Sequence, residues 1–183
     1  MLDQDHRLTP RASSTKVQIA FKVVDDLVDL PDLIGLAREA HAESHLARIP
    51  FSEGKVARIV ERALADPVHQ GIMLARRGEV PAGALHCSAG EYLVGTGAIL
   101  ATVHTIYVSA SLRTGLGGGR VALGLLNGAR TWAKARGAVE LSVSVASGSG
   151  IERTDKLMRR LGFTPTGGNY ARSFEMGSGR MTD

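Results

Sequence analysis

Apolar positions along the chain change period several times, and each change marks an element. From Lys16 to Val24, alternation across Val17, Ile19 and Phe21 predicts a strand. Asp29 then reads as an N-cap with Pro31 and Asp32 in the first turn, and Leu33, Leu36, Ala37 and Ala40 form the buried stripe of a helix. Ser52 caps a second helical pattern carrying Val56, Ile59, Val60 and Ala63. Gly71 to Arg76 and Pro81 to Ser88 predict a hairpin turning at Gly78-Glu79, and the stretch from Tyr92 to Val108 holds a long central strand. Val121, Leu125, Ala129 and Trp132 give a third helix, with Gly124 and Gly128 allowing close packing on the sheet. Each of those glycines weakens the helix by roughly 1 kcal/mol relative to alanine. Ile151, Thr154, Met158 and Leu161 mark a fourth helix. Helices interleaved with strands around one sheet predict a mixed α/β layer fold. The expected organisation is a loose arm over 1–15, one domain over 16–176 and a frayed tail over 177–183, with no internal repeat.

Composition narrows the class. The 183 residues are 44% hydrophobic and 22% charged, ordinary for a soluble globular protein and long enough for a single well-buried core. No apolar run approaches the roughly 18 residues of a membrane span, and Met1 to Lys16 contains no signal-peptide core. The single Cys87 allows no internal disulfide, so a cytoplasmic location and a small buried thiol are expected. A net charge of +4 favours acidic partners, coenzyme phosphates among them. At 4% aromatic content, with no interleaved arginine and aromatic residues, nucleic acid is left as a minor alternative.

The most informative segment runs from Val108 to Arg120. A strand enters a loop with glycines at 115, 117, 118 and 119, and a helical pattern follows. Glycines let the backbone approach a ligand closely, and a helix start supplies unpaired N–H groups at the positive end of its dipole. Together they predict an anion cradle for a phosphate or pyrophosphate. A nucleotide P-loop needs Lys followed by Ser or Thr after the last glycine, and Arg120-Val121 stands there instead. A dinucleotide fingerprint needs an early βαβ unit, and a position past the middle of the chain disfavours it even with Glu140 about 20 residues on. Acyl-coenzyme A is the third candidate.

The segment from about Thr102 to Phe174 resembles the GCN5-related N-acetyltransferase (GNAT) family. The residues that carry the likeness are Ile106-Tyr107-Val108, the glycine loop with Arg113, Leu125-Leu126, Trp132-Ala133, Arg136-Gly137-Ala138, Leu141 to Val145, Arg160-Leu161-Gly162-Phe163, and the turn Gly167-Gly168-Asn169-Tyr170. His41 to His45 and Ile49-Pro50-Phe51 give a looser likeness to GNAT-like proteins of phages. The resemblance implies a central, mostly antiparallel sheet flanked by about four helices and splayed at strands 4 and 5. It implies acetyl-CoA as co-substrate, held by Ile106, Tyr107, Val108, Arg113, Thr114, Gly115, Leu116, Gly117, Gly118, Gly119, Arg120 and Ser147. It also implies an amine acceptor, a small molecule or a protein, and a dimer through the last strands. Two departures stand out. The motif beginning at Arg113 is one residue short before its first glycine, and Met158 occupies the place where many relatives carry a tyrosine general acid.

Acyl transfer to an amine requires a base, and His104 lies nine residues before Arg113, within the central strand. Alternation puts it on the face of Ile106 and Val108. Some relatives place a catalytic glutamate at a similar distance, with a core histidine as the competing reading. Glu43 is a candidate for the acceptor cleft, against a solvated helix carboxylate. Tyr170 is a candidate proton donor or pocket residue, against sheet packing. His41 and His45 have the one-turn spacing of metal ligands, but Ala42 replaces the zincin glutamate and no further ligands cluster with them, so no metal is expected. Cys87 has no basic partner for a covalent relay, which favours direct attack within a ternary complex. The expected function is therefore an acetyl-CoA-dependent N-acetyltransferase acting on a primary amine. The alternative is a non-catalytic module binding acyl-CoA or a partner.

Overall fold

Among the described residues, period-two alternation becomes a five-stranded sheet whose spatial order follows the chain: β1 (Ile19–Val23), β2 (Gln70–Arg77), β3 (Val80–Glu91), β4 (Ile99–Val108) and β5 (Ala138–Val143). This computed structural model describes residues 18–113, 116–144 and 151–167. The first four strands pair antiparallel, and β5 joins β4 in parallel. The parallel pair needs a crossover, which the long helix α4 (Leu116–Ala135) supplies. Before β2 lie α1 (Leu30–Ala42) and α2 (Glu53–Ala65), a single turn α3 (Ala110–Arg113) precedes α4, and α5 (Ile151–Arg160) follows β5.

Each face of the sheet has its own core. On one, Val121, Leu125, Leu126, Ala129 and Trp132 of α4 bury against Met73, Leu85, Cys87 and Val103, and Met158 and Leu161 pack at the margin. On the other, Leu33 and Leu36 of α1 and Val60 and Ala63 of α2 bury against Ile72 and Leu74. The predicted α4 stripe is thus buried throughout, while Ala37 and Ala40 of α1 are only half-buried. Gly124 lets α4 lie directly on β1, since a Cβ there would come within 2.1 Å of the Phe21 ring. Gly162, at φ +83°, closes α5 in a Schellman motif, with Gly162 N–H donating to Arg159 O and Phe163 N–H to Met158 O at 3.0 Å each. The Leu-Gly-Phe sequence is the local chemistry of that helix stop.

Three expectations are corrected. Asp29 occupies the N-cap position of α1 but makes no capping bond. Its carboxylate is 2% exposed and lies 2.7 Å from Lys22 Nζ and 3.1 Å from Arg76 of β2, because two cations bind it better than helix N–H groups do. Burial works against its charge, and the two cations still hold its carboxyl below the usual range. Ser52 also starts its helix without a side-chain cap; its backbone carbonyl accepts from Lys55 and Val56 N–H. Gly117, Gly118 and Gly119 belong to the first turn of α4 rather than to a loop. Among the described residues, no helix is long and apolar enough to cross a membrane.

Candidate functional site

The site begins at an irregularity in β4. Opposite β3, Cys87 pairs with Val103 and His86 with Thr105, so His104 is an extra residue in the strand. This bulge reverses the alternation. Ile106 and Val108 pack toward the α4 core, whereas His104 is exposed on the other face with Ser88 and His86, correcting the shared face expected from strand periodicity. The described ladder to β5 reaches the same level: Val103 pairs with Val143, and Ser144 N–H donates to Val103 O at 3.2 Å. The described part of β5 reaches Val143, and β4 itself continues to Val108.

Around His104 the side chains are polar and connected. His104 Nε2 lies 2.7 Å from Ser88 Oγ, its ring centroid is 5.1 Å from that of His86, and His86 Nε2 lies 3.0 Å from Gln70 Oε1. Burial, reinforced by the neighbouring His104 and Arg62 charges, pushes His86 down to about 4. His86 is therefore neutral at physiological pH and donates Nε2–H to the Gln70 carbonyl. These residues line a cavity of about 440 Å³ with Ile59, Arg62, Ala65 and Asp66. Sequence reasoning missed His86, Ser88, Gln70 and Arg62. The available signal was the polar side of β3, where His86 and Ser88 alternate with Leu85, Cys87 and Ala89.

A second cluster closes the end of β4. Arg113 donates through Nε to Val108 O at 2.7 Å and through an Nη to Glu43 at 2.6 Å, and its guanidinium lies 4.8 Å from the centre of the Tyr107 ring. Tyr107 Oη donates to Glu43 Oε1 at 2.8 Å, and Ser109 Oγ donates to Glu39 at 3.1 Å. The hydrogen bond from Arg113 holds the Glu43 carboxyl below the usual carboxylate range. Burial, followed by the bond to Glu43, pushes the Tyr107 phenol well up. Glu43 is thus an ionised anchor for Arg113 and Tyr107 at the end of β4. Arg113 thus pairs with Glu43 at the position where the resemblance implied a phosphate ligand.

The cradle itself is compact. Gly118 is buried between turns: a Cβ there would stand 2.9 Å from Leu112 O and 3.0 Å from Arg113 Cα. Arg120 is exposed one residue beyond Gly119. Ile106 and Val108 turn their side chains into the core, which leaves their backbone as the part available to a ligand. For Leu116, only its place at the head of α4 is described. Thr114, Gly115, Ser147 and Tyr170 lie outside the described residues. Cys87 is buried and its thiol is pushed up to about 12 by burial, so it is no nucleophile. His41 Nε2–H donates to Ile49 O over 2.7 Å, since a carbonyl can only accept, and this bond pins the α1–α2 connection. No group of three metal-ligating side chains occurs among the described residues.

Comparison with known proteins places this geometry. No protein-family profile matches the chain, and no curated protein matches it. Solved structures do. A transcriptional regulator from Bacillus halodurans C-125 superposes with a TM-score of 0.67 at 18% identity, over 86% of this chain and 100% of its own. The aminoglycoside N-acetyltransferase AAC(6')-Iy in complex with CoA gives 0.66 at 18% identity, over 92% and 100%. A ribosomal-protein-alanine N-acetyltransferase from Brucella melitensis biovar Abortus 2308 gives 0.60 at 19% identity, over 86% and 100%. Nothing in these comparisons supports the looser likeness to phage proteins. The chain carries the GCN5-related N-acetyltransferase fold.

Proposed function

We propose that this protein is an acetyl-CoA-dependent N-acetyltransferase, moving an acetyl group to a primary amine that reaches His104 through the cavity beside α2. The observation that carries the reading is His104, which a bulge in β4 sets on the wall of a cavity of about 440 Å³, in the strand that leads to the glycine-rich first turn of α4. In this reading an extended ligand pairs with backbone groups of residues 104–108 as an added strand would. At the far end, the N–H groups of Gly117 to Gly119 and the Arg120 side chain suit the diphosphate. Two of the similar structures, AAC(6')-Iy complexes, were solved with CoA or a CoA bisubstrate analogue.

When bound, acetyl-CoA would supply an activated carbonyl and a thiolate leaving group. The chain supplies the rest. In the tautomer that donates Nε2–H to Ser88 Oγ, 2.7 Å away, His104 would take the amine proton at Nδ1, directly or through one water. His86, kept neutral by burial, adds no positive charge when His104 becomes protonated. As the N–C bond forms and the C–S bond breaks, the amine proton passes to His104 and the thiolate needs a donor. Met158 has no proton to give, which leaves Tyr170 or water for that step. The dimer implied by the resemblance would involve last strands that lie outside the described residues.

The non-catalytic alternative is favoured by two observations: Met158 in place of a tyrosine, and Arg113 occupied by Glu43. Calorimetry with acetyl-CoA and thiol release across an amine panel separate the readings. Binding with turnover supports the enzyme, and binding without turnover on any amine supports the module. No binding at millimolar coenzyme overturns both.

A further inference from the structure

The basic side chains of α2 are not distributed evenly. Lys55, Arg58 and Arg62 follow each other at helical spacing and, with Glu61, line an open groove of about 610 Å³. Arg62 is shared with the smaller cavity that contains His104 and His86. Among the described residues, none of these three cations forms an ion pair. Asp66, the carboxylate lining the smaller cavity, is occupied by His69, whose Nδ1 is 2.9 Å from its Oδ1. The one contact of Arg62 uses Nε, which donates to Arg58 O at 3.3 Å, and leaves the forked end of the guanidinium uncommitted among the described residues. The acidic pair at the end of β4, Glu39 and Glu43, is bound by Ser109, Tyr107 and Arg113.

Lys55, Arg58 and Arg62 against Glu61 and Asp66 leave the approach to His104 net positive, which disfavours an acceptor bearing several ammonium groups and favours one with a carboxylate. A planar fork is the group best suited to a carboxylate, and a cavity of about 440 Å³ accommodates a molecule of amino-acid or dipeptide size. We infer that the acceptor is an amine that also carries a carboxylate, an acidic amino acid or the acidic N-terminus of a peptide, with Arg62 receiving the acid while the amine meets His104. Arg58 and Lys55 continue the track for a second acidic group. This inference rests on the transfer reading above and differs from the polycationic substrates named for the aminoglycoside acetyltransferases of similar fold.

The test measures thiol release by the full chain at saturating acetyl-CoA with three amines: aspartyl-alanine, asparaginyl-alanine amide and lysyl-lysine amide. The same three are titrated by calorimetry with and without coenzyme. We expect kcat/KM for aspartyl-alanine to exceed that for lysyl-lysine amide at least about tenfold, the ratio given by one charge pair of moderate strength. Arg62→Glu should erase or reverse that ratio, mainly through KM, and Arg62→Lys should restore part of it. Preference for the cationic peptide, or a ratio unmoved by Arg62→Glu, overturns the inference. If no amine releases thiol, calorimetry decides. Binding of aspartyl-alanine that Arg62→Glu abolishes upholds the acidic subsite while the transfer reading falls, and equal or absent binding of the three amines overturns the subsite.

Discussion

Two neighbouring glycines in the first turn of α4 should respond to alanine in opposite directions. Replacing a helical glycine with alanine ordinarily stabilises by up to about 1 kcal/mol, through backbone entropy. At Gly119 nothing lies within 4 Å of the added Cβ, so Gly119→Ala should gain about 0.5–1 kcal/mol. At Gly118 the new atom meets Leu112 O at 2.9 Å and Arg113 Cα at 3.0 Å. Both are backbone atoms and cannot swing aside, so α3 must move. Overpacking of this kind costs roughly 1–3 kcal/mol, which exceeds the propensity gain. Gly118→Ala should therefore lose about 1–2 kcal/mol net, lowering Tm by roughly 2–8 °C, while Gly119→Ala raises it by roughly 1–4 °C. Displacing α3 would also strain the bonds from Arg113 to Val108 O and Glu43, so coenzyme affinity should fall with Gly118→Ala. Thermal unfolding by circular dichroism and calorimetry with acetyl-CoA measure the two effects. If Gly118→Ala melts at or above the Tm of Gly119→Ala, the close approach of α3 to α4 is not what requires glycine.

Other predictions follow from the same contacts. His104→Ala should lower kcat roughly 10²–10⁴-fold while leaving coenzyme affinity nearly intact; full kcat with the true acceptor would make the histidine structural. His86 is held at about 4 when folded and returns to about 6.5 when unfolded, so the unfolded chain takes the proton first as pH falls. Stability should decline from about pH 6.5 toward pH 4, by an amount near 3 kcal/mol at full burial and about 1–2 kcal/mol once solvent access through the cavity is allowed for. Urea unfolding across that range should show a step that His86→Gln removes. The Arg113–Glu43 pair is half-exposed, and a double-mutant cycle with Arg113→Gln and Glu43→Gln should return a coupling of only about 0.2–1 kcal/mol, falling with salt. A coupling above about 2 kcal/mol would show that the clamp is shielded from water to a degree its exposure does not suggest.

Periodicity alone determined most of the architecture. Val121, Leu125, Ala129 and Trp132 could be recognised as one buried stripe because a helix places them on one face whatever it packs against. Gly78-Glu79 turned the β2–β3 hairpin as its residue types demand, and Gly162 stopped α5 for an equally local reason. Asp29 could not be read in this way, because its fate was set by Lys22 and Arg76 on two strands, neither of them its helical neighbour. His104 was named from the chain, but its face was decided by a bulge, and alternation carries no information once one strand holds an extra residue. Glu43 and Arg113 look independent along the chain, although they form one ion pair across 70 residues. Pairing at that separation depends on where α1 docks against the end of β4. Only packing brings Arg62, His86 and His104 around one cavity, since three elements must meet before their charges share a dielectric.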